Sequence, residues 1–198
     1  MHNRINAGAL PLGGTPALFR HDDMENERNI RSALVAEAGR RMMLAARTAP
    51  KAKGIDIIEI LLLTERSELE MLSEAMLAKA EATGMKFLLR DAANILQGEA
   101  LLLIGTRTQP MGLNCSFCGA ADCAAKAAEA PCTLNSIDLG IAIGSACSTA
   151  AELKVDTRVM FSAGWCAADC GLLPECKQTI AIALSASSKN PFFDRQPK

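Results

Sequence analysis

The sequence predicts a mixed α/β fold in which helices pack on a small central sheet, with a cysteine-rich loop inserted between the elements. Three observations predict it. Short runs dense in leucine and isoleucine, DIIEILLL (56–63), ALLLIGT (100–106) and TIAIALS (179–185), have the length of buried strands. Segments with apolar residues every three or four positions separate them. Between 109 and 133 neither period is present, and four of the eight cysteines fall there.

Taken in order, residues 1–24 are rich in Gly, Pro and Asn and are expected to form a flexible arm preceding a single domain over 25–198. From 25 to 48, Ile30, Leu34, Ala38, Met42 and Ala45 recur at helical spacing, and Ala49-Pro50 ends the helix. The first strand follows, then Thr64 as the expected N-cap of a helix running through Leu69, Leu72, Met76 and Ala80 to Gly84. An extended piece over 86–89 and a short helix over 91–96 lead to the second strand. After the insert, 136–154 is read as a long apolar helix, 157–171 as another, and 179–185 as the third and last strand. Strand direction is open at this point.

Composition narrows the function classes. With 21 basic and 22 acidic residues and a net charge of −1, the chain carries no global field for nucleic acid or an anionic membrane. No apolar run approaches membrane-spanning length, and Asn3, Arg4, Asn6, Gly13 and Gly14 interrupt the N-terminus where a secretory apolar region would lie. A cytoplasmic location is expected, and with it reduced thiols rather than disulfides. The two histidines, His2 and His21, both fall in the arm, which leaves hydrolytic triads without a base in the core.

The segment NCSFCGAADCAAKAAEAPC places Cys115, Cys118, Cys123 and Cys132 in the pattern C-x2-C-x4-C-x8-C. The close first pair lets two sulfurs from one turn reach a common centre, Gly119 permits a tight backbone path, and the remaining two can close the site from the far side. The expected occupant is a [4Fe-4S] cluster, a one-electron carrier needing neither histidine nor carboxylate. A structural zinc is the alternative metal, although zinc sites more often use two paired knuckles. Cys147, Cys166 and Cys170 lie among small residues on apolar segments and read as core; a second thiolate site joining them with Cys176 is the alternative, and Cys176 itself is left unassigned.

The motif Asn114-Cys115, Cys118-Gly119 and Cys123 resembles the four-cysteine iron–sulfur motif of ferredoxin-type domains. More specifically, AARTAPKAKGID (45–56), FLLRDAANI (87–95), GLNC (112–115), IDLGIAIGSA (137–146), AELKVDTRVMFSAG (151–164) and LSASSKNPFFDR (184–195) are similar to a prokaryotic family of ferredoxin-domain-containing proteins of unknown function. That resemblance implies a cluster without naming a reaction. AARTAPKAKGIDIIEILLL is also reminiscent of nitroreductase-like flavoproteins, in which a helix ending in such a segment contributes to an FMN site at a dimer interface. This implies FMN as a further candidate cofactor, with Lys51 and Lys189 as candidates for its phosphate. The expected function is thus an iron–sulfur protein in electron transfer, acting with a redox partner protein that the sequence does not name. The alternatives are a flavin-dependent oxidoreductase fed by the cluster and a zinc-held module. The apolar circumference of the helix over 137–153 also suggests a homodimer.

Overall fold

In a computed structural model of the chain, residues 25–193 are described. The expected arm over 1–24 lies outside them. The chain divides between Ile30 and Arg31, and the fold described here is that of the unit beginning at Arg31. In order, the elements are helix α1 (Glu27–Thr48), strand β1 (Ile58–Leu63), helices α2 (Arg66–Thr83) and α3 (Lys86–Ile95), strand β2 (Ala100–Thr106), helix α4 (Thr133–Glu152), strand β3 (Asp156–Met160), helix α5 (Phe161–Ala167) and strand β4 (Gln178–Ser185). The mixed α/β class is as the sequence predicts.

The four strands form one antiparallel sheet in the order β1-β2-β4-β3. Side chains alternate across a strand, so each strand feeds two cores. Leu101 and Leu103 of β2 and Ala181 and Ala183 of β4 face Leu72 and Met76 of α2, Leu88 and Ile95 of α3, and Ala163 and Cys166 of α5. Leu102, Ile104, Ile182 and Leu184 face the other way, onto Val35, Met42 and Ala46 of α1 and Leu139, Ala142 and Ala146 of α4. Helices on both sides leave β2 buried along its whole length, which is why ALLLIGT is continuously apolar rather than alternating.

Two readings of the sequence are corrected. Residues 86–89 are not extended: they open α3, whose buried Leu88, Ala92 and Ile95 sit at spacings of four and three. Residues 157–171 are not one helix. Residues 156–160 are a fourth strand pairing with β4 through Asp156↔Ser185 and Met160↔Ala181, and the helix begins only at Phe161. The strand escaped notice because DTRVM is short, lies at the sheet edge and lacks an apolar run.

Local chemistry sets the ends. The Glu68 carboxylate accepts from the N–H groups of Thr64 and Glu65, both at 3.0 Å, so the α2 cap sits at Glu65, one residue past the expected Thr64. Gly84, at φ 71°, closes the same helix. The exposed ends of α1 carbonyls are met by Lys51, whose ammonium donates to the carbonyls of Ala46, Arg47 and Ala49. Among the described residues no helix is long and apolar enough to cross a membrane.

Candidate iron–sulfur loop

β2 runs out at Thr106, and the chain then travels to α4 without regular structure over 107–132, as expected of the insert. The loop is rooted at both ends. Arg107 N–H donates to the Ile57 carbonyl at 3.1 Å and Gln109 N–H to Oδ1 of Asn135 at 3.0 Å. Met111 and Cys132 are buried together with Ile57 in a small core of their own, flanked by Ala52, Ile55 and Leu134. Lys53 Nζ reaches across to the Met111 carbonyl at 3.1 Å.

Beyond this root the chain turns sharply. Gly112, Asn114, Ser116 and Gly119 all have positive φ. Asn114 and Ser116 are not glycines, and Asn is among the side chains that tolerate this region at least cost. The outcome is a pair of contacts between Asn114 and Cys123: the Cys123 N–H donates to the Asn114 side-chain oxygen at 2.9 Å, and the Asn114 N–H points at Cys123 Sγ at 3.4 Å. Asp122 then steadies the following turn by accepting from the N–H groups of Ala124 and Ala125.

The four candidate ligands occupy different settings. Cys115 and Cys118 are exposed, Cys123 is partly covered, and Cys132 is buried at the N-cap of α4. Among the described residues, no three His, Cys, Asp or Glu side chains stand together at metal-holding distance. The donor set nonetheless suits a cluster in its chemistry: four thiols, three on one surface loop, and a backbone N–H aimed at one sulfur, a contact of the kind that tunes a cluster's potential.

The remaining thiols are of another kind. Burial pushes Cys166 and Cys176 up to about 11, and raises Cys170 and Cys147 as well, in the last against a hydrogen bond from Thr157. Raised in this way, these thiols are weakened as nucleophiles.

Lys51, the first candidate for a flavin phosphate, has all three ammonium hydrogens directed at the end of α1. Lys189 is exposed in the segment after β4, where its carbonyl accepts from the Ser187 hydroxyl. Three residues that carry the site's architecture were not singled out as such from the sequence. Asp138 of α4 is buried and accepts the Ala52 N–H on both oxygens, at 3.0 and 3.1 Å. Burial raises its pKa, opposed by the Ala52 hydrogen bond and the Lys51 charge. Lys53 ties the Ala49–Gly54 segment to the loop, and Asn135 ties α4 to the loop's start. The two segments carrying the separate resemblances thus meet at the base of the cysteine loop.

Comparison with known proteins places the chain. A protein-family model described as "uncharacterized protein containing a ferredoxin domain (DUF2148)" matches residues 128–195, a stretch holding Cys132 but not the other three candidate ligands. An uncharacterized protein of Archaeoglobus fulgidus is 38% identical over 183 residues, covering 87% of this chain and 98% of the relative. The chain belongs to this ferredoxin-domain family. The fold of the family member described here is shared with flavoproteins at low identity. A nitroreductase with bound FMN from Bacteroides fragilis superposes with a TM-score of 0.57 at 12% identity, covering 82% of this chain and 83% of that one. A BluB-like flavoprotein from Clostridium difficile gives 0.54 at 16% identity, covering 91% and 87%. The hypothetical oxidoreductase YcnD from Bacillus subtilis gives 0.51 at 14%, and there the chain spans 61% of the longer protein.

Proposed function

We propose that this protein is an iron–sulfur redox protein in which Cys115, Cys118, Cys123 and Cys132 hold a [4Fe-4S] cluster. The observation that carries the reading is the Asn114–Cys123 arrangement, a backbone donor directed at a sulfur within a loop of four-thiol spacing. The ferredoxin-domain description of the family supports it. The cluster would supply one-electron transfer. The chain's own contribution is to anchor Cys132 through Met111 and Ile57, to leave Cys115 and Cys118 on an exposed arc that can close on the metal, and to donate a hydrogen bond to the Cys123 sulfur. Metal binding is coupled to local folding, so cluster loading would draw the four thiols to a common centre.

The likeness to FMN-bound folds raises a flavin as a second cofactor. Lys51 does not fit the phosphate role, because it has no N–H left to offer, and no step is derived through a flavin.

The test is anaerobic purification or reconstitution with iron and sulfide, followed by metal and sulfide analysis, absorbance near 400 nm and electron paramagnetic resonance of the reduced protein. About four irons and four sulfides per chain are expected, and Cys118→Ser is expected to lose them. A colourless protein that takes up zinc and no cluster overturns the reading.

A further inference from the structure

β3 is only five residues long, and at Met160 the chain leaves the sheet to enter α5. β4 extends beyond that point, so Gln178, Thr179 and Ile180 pair with β2 on one side and, among the described residues, have no strand on the other. α5 takes the vacated place with its backbone: a Cβ on Gly164 would stand 2.2 Å from the Thr179 carbonyl oxygen. Between α5, this open strand edge and α4 lies a cavity of about 400 Å³. That is within the range of small-molecule sites, and it is remote in sequence from the cysteine arc at 115–123.

The cavity has a distinct chemistry. One wall carries Trp165 and Phe161, stacked at 5.5 Å with 20° between the planes, and Lys79, which is not on the lining, has its Nζ 4.0 Å from the Trp165 ring centroid. Phe161 ends the stack and is 57% exposed, which leaves aromatic surface uncovered at the cavity. The opposite wall is α4, where Gly140 contributes no side chain and a Cβ there would meet nothing within 4 Å. The polar side chains on the lining are Ser136, Cys176, Lys177, Gln178 and Thr179. The Ser136 hydroxyl donates to Gln178 Oε1 at 2.8 Å, and Lys177 at the rim is paired with Glu129 at 3.2 Å. Lys79 is likewise paired with Asp169 at 2.8 Å. Among the described residues Lys177 is the only charge on the lining, and it is paired, so a charged ligand would lose its hydration without a free counter-charge in return.

We propose that this cavity is a binding site for an uncharged, planar, fused-ring aromatic compound of the quinone class, stacked on Phe161 with its polar edge toward Gln178. Ring stacking and dispersion hold such a ligand, and the slot left by Gly140 admits its thickness. The inference does not rest on the cluster, and the cavity would bind its ligand in cluster-free protein too.

Trp165 is the chain's one tryptophan and lines the cavity, so its fluorescence reports occupancy directly. The full chain is titrated with 2,3-dimethyl-1,4-naphthoquinone, whose blocked ring carbons do not add to thiols, and in parallel with FMN as a planar but anionic comparator. Saturable quenching is expected with the quinone, and at least ten-fold weaker binding of FMN. Phe161→Ala is expected to weaken quinone binding about ten-fold. Gly140→Leu, which fills open space on a helix and improves helix propensity, is expected to abolish saturation while the protein stays folded by circular dichroism. Quenching that does not saturate, or that is unchanged in Gly140→Leu, overturns the proposal. Tighter binding of FMN overturns the uncharged class. A fluorescence change that follows protein dilution in sedimentation experiments rather than quinone concentration shows a second copy of the chain covering the cavity, and overturns it as well.

Discussion

Asn114 and Cys123 hold one another from both ends: the cysteine N–H donates to the asparagine side chain, and the asparagine N–H points at the cysteine sulfur. The eight residues between them are closed into a loop by these two contacts, and the backbone at Asn114 is left-handed, with φ 49°. The contacts order the loop at one of its candidate ligand sulfurs.

The first prediction follows from the side-chain half of this pair. Asn114→Gly keeps the backbone angle accessible but removes the acceptor, Asn114→Ala removes the acceptor and adds strain, and Asn114→Asp keeps an acceptor. After reconstitution, cluster loss to an iron chelator is expected to be several-fold faster in the Gly and Ala variants and near wild type in Asp. Equal rates in all three would show that the side chain does not protect the site.

Asp138 gives a pH prediction. Burial raises its folded-state pKa above the ordinary 3.8, despite the Ala52 N–H and the Lys51 charge, which act the other way. The folded state thus keeps the proton to higher pH than the unfolded state does. The corresponding contribution to stability is fully present below pH 3.8 and is lost as pH rises through the folded value. Asp138→Asn retains an acceptor for Ala52 and should lack this slope between about pH 4 and the raised value. Asp138→Ala leaves the Ala52 N–H unmatched and is expected to cost about 1–3 kcal/mol in urea unfolding at pH 7.

Ser162 and Asp91 test the opposite face of the sheet. The Ser162 hydroxyl donates to Asp91 Oδ2 at 2.6 Å, both residues are buried, and Arg90 pairs with the other oxygen at 2.8 Å. Arg158 stands 3.7 Å from that same oxygen and also donates to the Phe192 carbonyl, so the carboxylate joins α3, α5, β3 and the segment after β4. Ser162→Ala is expected to cost about 1.5–3 kcal/mol, the range for a hydrogen bond to a charged group. Chemical denaturation measures it.

Two glycines should respond oppositely to alanine. At Gly164 the added methyl would collide with the Thr179 carbonyl at 2.2 Å, and a loss of about 1–3 kcal/mol or more is expected. At Gly144, in the interior of α4, a Cβ meets nothing within 4 Å, and alanine is expected to gain about 0.5–1 kcal/mol from helix propensity alone. Matching melting temperatures for the two variants would refute the packing of α5 against the edge of β4.

The sequence by itself determined the elements whose signal is local. Strand β2 is a continuous apolar run because it is covered on both faces, β1 and β4 are apolar over most of their length, and α1, α2 and α4 carry an unbroken helical period because one side of each meets the sheet. The irregular 109–133 segment and its four-thiol spacing were legible for the same reason, since spacing along the chain is a property of the sequence alone. What depends on residues far apart was not legible. The strand identity of residues 156–160 comes from pairing with β4, not from their own composition, and the helix over 86–95 shows its period only once Leu88, Ala92 and Ile95 are seen facing α2. Strand direction, the capture of Ala52 by Asp138 across 86 residues, the full commitment of Lys51 to the end of α1, and the Phe161 wall at the open edge of β4 were decided by tertiary structure. Each is a contact between segments that neither composition nor periodicity can bring together, because only packing of the layers brings their atoms within reach.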